Sequence, residues 1–115
     1  MTPDPTRREQ IRDLLELLAS EERQLTYEKN VPHVDITGEL VCMWFNDLIY
    51  DIEDVRADAS FSADERAALE QFHRFYDARV KQLPDSQGTV RTWLASPTWR
   101  EVMQSARITL GRVAA

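Results

Sequence analysis

Six consecutive apolar residues, LVCMWF at positions 40–45, read equally well as a buried strand or a buried helix, because an unbroken apolar run carries no period. Composition favours the helix. Only Val41 in the run is β-branched, and Leu, Met, Trp and Phe are all tolerated in helices. Thr37 to about Tyr50 is therefore expected to be a buried helix. Just upstream, Pro32 pushes Val31 out of helical geometry, and Val34 and Ile36 alternate with Asp35. Residues 31–38 are thus a connector with a short extended segment. A small hairpin over 31–45 is the way an all-helical assignment would fail.

Outward from this run the helical signals multiply. Ile11, Leu14, Leu15, Leu18 and Leu25 share one stripe of a 3.6-residue period, which predicts a first helix from about Thr6 to Glu28. Its start is marked twice, by Asp4 before Pro5 and by Thr6 with Glu9 as a capping box. Ser62 and Glu65 form a second capping box, followed by Leu69, Phe72, Tyr76, Val80 and Leu83 at helical offsets and stopped by Pro84. Val90 to Ala95 suits a short helix. Ser96 before Pro97 restarts the chain into a last helix with Trp99, Val102, Ala106, Leu110 and Val113 on one face, and Arg107 and Arg112 near its negative pole. The expected fold is all-α: a bundle of four to five helices forming a single domain over 1–115.

Composition supports this. A chain of 115 residues, 43% hydrophobic, can bury about two thirds of its unfolded surface without disulfides. With one cysteine, Cys42, an internal disulfide, a Cys-rich zinc cage and a CxxC pair are excluded. No stretch approaches the roughly 20 apolar residues of a membrane span, and MTPDPTRREQ lacks a signal peptide's apolar core, so a cytoplasmic location is expected.

Charge is the most informative feature. From Asp47 to Glu65 there are seven acids (Asp47, Asp51, Glu53, Asp54, Asp58, Asp64, Glu65) and one base, Arg56. That window carries a net charge of −6, the same as the whole chain, leaving 13 acids and 13 bases for the other 96 residues. If the second helix runs past Tyr50, Asp47, Asp51, Asp54 and Asp58 stack on one face, at a cost of a few tenths of a kcal/mol per like-charged pair. If residues 51–60 are a loop, solvent screens them over about 8–10 Å. Tyr50, Ile52, Val55 and Phe61 among these acids suggest a contact surface. The candidate partner-binding residues are Asp47, Tyr50, Asp51, Glu53, Asp54 and Asp58.

Catalytic signatures are absent. Residues 51–62 fail as an EF-hand loop, with Val55 at the fifth position, Arg56 for the glycine and Ser62 for the last glutamate. No GxGxxG, GxxxxGK[ST], HExxH or GxSxG occurs. A small enzyme or ligand-binding helical domain would have to use His33, Asp35, Cys42 or His73. Cys42 sits in an apolar run, where a thiol is expected to be a buried small hydrophobe. No cofactor or metal is expected. Direct nucleic-acid binding is disfavoured, because Arg7, Arg8 and Arg12 alternate with Glu9 and Asp13 rather than forming a basic patch. Trp44, Trp93 and Trp99 are read as core rather than as stacking platforms.

The stretch YEKNVPHVDITGELVCMWFNDLIYD (27–51), with the plan of a small acidic helical protein, resembles bacterial immunity proteins of contact-dependent growth inhibition systems. The resemblance implies a cytoplasmic, non-enzymatic protein that binds and blocks a cognate toxin, often a basic nuclease. The acidic window fits such a partner, since anions opposite a cationic active site steer encounter and fill the site. A homo-oligomeric structural subunit is a third, plainer reading.

Overall fold

The computed structural model describes residues 6–32, 34–49, 51–84 and 89–114. Among them the chain forms α1 (Arg7–Ala19), α2 (Glu21–Asn30), α3 (Ile36–Cys42), a π-helical turn (Met43–Leu48), α4 (Ile52–Arg56), α5 (Ala63–Val80), α6 (Val90–Leu94) and α7 (Pro97–Arg112), with no strand. The fold is all-α, with seven α-helices where four to five were expected.

One extra helix arises at Ser20, where the backbone turns extended (φ −120°, ψ 114°). Ser20 ends α1 through its N–H to the Leu17 carbonyl and caps α2 through Oγ, which accepts from the Arg23 N–H at 3.1 Å. The signal was present as a serine followed by two glutamates in a first turn. The other extra helix is α4, discussed below. Both capping boxes form as expected, Thr6 with Glu9 and Ser62 with Glu65. The alternative start at Asp4 and Pro5 lies outside the described residues.

The apolar run becomes helix, with a change of winding. α3 is capped by Asp35, whose carboxylate accepts from Gly38 N–H at 3.2 Å and Thr37 Oγ1 at 2.8 Å. Among the described residues of 31–38 no strand forms: Val31 ends α2, and Asp35, in extended geometry, starts α3. From Met43 the chain widens, and Ile49 N–H reaches back five residues to the Trp44 carbonyl at 2.8 Å. In an α-helix Leu40 and Ile49, nine residues apart, would sit on opposite faces. A turn of roughly 4.4 residues brings Leu40, Trp44 and Ile49 to the same side, where all three are fully buried.

α7 is the axis of the packing, with α1 and α5 against it. Ile11, Leu15 and Leu18 of α1, Leu69, Phe72 and Tyr76 of α5, and Trp99, Val102 and Ala106 of α7 belong to one buried cluster. Trp44, Trp93 and Trp99 are core, as expected, each no more than 2% exposed. Edge-on contacts link Trp44 to Phe72 (4.8 Å) and Trp93 to Trp99 (4.7 Å).

No helix among the described residues is long and apolar enough to cross a membrane. Cys42 departs from expectation. It is exposed, because with Leu40 and Trp44 turned inward a residue two positions after Leu40 points away from the core.

Candidate interaction surface

The structure sorts the acids between Asp47 and Glu65 into those that hold the fold and those that face outward. Glu65 is consumed by the fold. Only 8% exposed, its carboxylate accepts from Arg8 Nη1 (3.0 Å) and Nη2 (2.6 Å), from Ser62 N–H (2.9 Å) and from Ala114 N–H (2.9 Å). The Arg8 guanidinium, then the Ser62 N–H, hold its carboxyl well below the usual carboxylate range.

Asp58 is also structural. Its carboxylate accepts from Ser60 Oγ at 2.7 Å and Ser60 N–H at 2.9 Å, bonds that lower its pKa, and Arg7 Nε stands 4.0 Å away. It pins the turn that leads to Phe61. Glu53 pairs with Arg56, which also reaches Glu70 on α5.

The stacked-carboxylate helix does not form. The π turn ends at Ile49, and Asp51 starts α4 afresh as its N-cap, accepting from Glu53 N–H at 3.0 Å. A cap position favours an aspartate, whereas a continuous helix would have aligned four like charges. Val55 and Phe61, expected at a contact surface, are buried at 0% and 2% exposure, and Ile52 is half-buried. Tyr50, the candidate aromatic anchor, lies outside the described residues.

Asp47, Asp51, Asp54 and Asp64 are exposed and have no ion-pair partner among the described residues. They are joined by an acid that lies outside the window. On α1, Arg7 donates to the Leu48 carbonyl (2.6 Å), Arg8 to the Ser60 and Ala114 carbonyls (2.8 and 2.6 Å), and Arg12 to the Leu110 and Val113 carbonyls. These cations clamp the end of α7 and the 58–65 turn to α1. Glu9 and Asp13, which alternate with them along the sequence, are left exposed. At roughly 100° per residue Arg7 falls in line with the apolar stripe, Arg8 and Arg12 fall along one edge of it, and Glu9 and Asp13 lie opposite, so this division was legible on a helical wheel. Asp13 and Asp47 come together on the lip of an apolar groove between α1 and the π turn.

Of the residues named for the enzyme alternative, Asp35, Cys42 and His73 are described, and Cys42 is exposed. Asp35 caps α3, and His73 accepts the Trp44 indole N–H on Nδ1 at 3.2 Å, which places its own proton on Nε2. Burial lowers the His73 pKa, against the pull of Asp77 and Glu70. His33 lies outside the described residues. No group of three or more His, Cys, Asp or Glu side chains among the described residues is arranged to hold a metal.

Comparison with known protein families, with curated proteins and with solved structures finds no match.

Proposed function

We propose that this chain is a non-enzymatic binding protein that presents an acidic face to a basic protein partner, and that the partner is a toxin domain, occluded in the manner of a bacterial immunity protein. One observation carries the reading: the cations of α1 turn inward onto backbone carbonyls and Glu65, while Asp13, Asp47, Asp51, Asp54 and Asp64 face solvent without ion-pair partners among the described residues. A surplus of anions held apart from its counter-charges raises the local potential, speeds encounter with a cation-lined site and disfavours acidic partners. Asp58 takes no direct part, because its carboxylate is already bonded within its own turn.

The test is co-expression with the C-terminal domain of a large secreted protein encoded beside this chain. Wild-type protein restores growth. A variant with Asp47→Asn, Asp51→Asn, Glu53→Gln and Asp54→Asn remains folded and loses protection. Protection that survives the four exchanges removes the acidic face from the mechanism, and a neighbourhood with no such gene overturns the toxin reading.

A further inference from the structure

Leu17, Tyr27, Met43 and Leu48 wall a groove of about 250 Å³ between α1, α2 and the π turn, with Asp13 and Asp47 on its rim. Its volume lies below the roughly 300–1,000 Å³ of small-molecule sites and suits one or two side chains of a partner. Three features of the chain build it. The break at Ser20 starts α2 as a separate helix, and Tyr27 of α2 lines the groove. The π winding brings Asp47 and Leu48, four and five residues after Met43, onto the face that Met43 occupies; an α-helix would have turned Leu48 away. The inward turn of Arg8 and Arg12 leaves Asp13 on the lip without an ion-pair partner among the described residues, as is Asp47.

We infer that this groove is the anchor point for the basic partner: an apolar side chain of the partner seats on Leu17, Tyr27, Met43 and Leu48, and lysines or arginines beside it pair with Asp13 and Asp47. The inference rests on the acidic-face reading above and moves the centre of contact from α4 to the α1–π turn groove. Charge selects the occupant, since two carboxylates at the edge of an apolar hollow favour a cation beside an apolar anchor and disfavour an acidic segment. An amphipathic helix with apolar residues at i and i+4 and lysines between them has this chemistry.

The probe is a synthetic 14-residue helix of leucines and lysines, with a leucine–glutamate helix and a serine–lysine helix as controls. Affinity is measured by fluorescence anisotropy at low and moderate salt, and the contact is mapped by amide chemical-shift perturbation. The leucine–lysine helix perturbs residues 13–17, 27 and 43–48, and both controls bind at least about tenfold more weakly. Asp13→Asn with Asp47→Asn weakens binding at least about tenfold at low salt with an unchanged thermal midpoint, whereas Asp51→Asn, Glu53→Gln and Asp54→Asn together change it less than about twofold. If only the α4 exchanges weaken binding, the groove assignment is overturned and the acidic-face reading stands. If neither set matters, or the leucine–glutamate helix binds as well, both are overturned.

Discussion

Replacing Gln24 by leucine tests the joint that shapes both the fold and the groove. Gln24 has no exposed surface; its Nε2 donates to the Leu17 and Leu18 carbonyls at 3.1 Å each, and its Oε1 accepts from the Trp99 indole at 3.0 Å. Leucine keeps nearly the same volume and removes all three bonds. The Leu17 carbonyl retains the Ser20 N–H, so the deprived groups are the Leu18 carbonyl and the Trp99 N–H. At a mid-range cost of about 2 kcal/mol for each of the two orphaned buried groups, less about 1.5 kcal/mol for the more apolar side chain, the net loss is about 2.5 kcal/mol. With an unfolding entropy of about 2.1 cal/mol/K per residue, the thermal midpoint falls by about 10 °C, read by circular dichroism. Adding Trp99→Phe removes the orphaned indole, so the double variant is less destabilised than the sum of the singles by about 1–2 kcal/mol. A fall of less than about 3 °C, or strictly additive singles, would refute the assignment of this bridge as what holds the α1–α2 break.

Two further outcomes follow from titrating groups. Glu65→Gln turns an amide NH2 toward one of two donor pairs, either Arg8 Nη1 with Ser62 N–H or Arg8 Nη2 with Ala114 N–H, and lowers the midpoint at neutral pH by about 5 °C or more. Because the folded-state pKa of Glu65 is depressed, its contribution is complete above the ordinary carboxylate value of about 4.3 and fades as pH falls below it, so the gap between wild type and variant closes in acid; a gap that is constant with pH contradicts the pairing. His73→Asn keeps an acceptor near the Trp44 N–H and removes the titration. The lowered folded pKa of His73 makes wild-type stability decline as pH drops through about 6.5 and below, and urea midpoints of the variant flatten that decline between about pH 7 and 5; an equally steep decline shows that His73 does not drive it.

Helix identity and most helix ends were local properties. Thr6 with Glu9, Ser62 with Glu65, and Ser96 before Pro97 each form their caps from residues three apart or fewer, so sequence spacing sufficed. The burial of Trp99 followed from its periodic position, and that of Trp44 from the apolar run around it. What failed was continuity. The stripe of Ile11 to Leu25 looks like one helix because periodicity cannot register a bend, and the bend at Ser20 is held by Trp99, 75 residues from Gln24 in sequence. The run into Leu48 looks like α-helix because winding is chosen by whether Ile49 can reach the core.

The net surplus of anions belongs to the sequence alone, since no packing changes a count of side chains. Which anions remain on the surface was settled by long-range pairing. Glu65 meets Arg8 across 57 residues, Asp58 faces Arg7, and Asp13 emerges because Arg12 turns to carbonyls at the far end of the chain. Position along the chain says how much charge there is, whereas the location of an uncompensated charge depends on which cations tertiary contacts have already engaged.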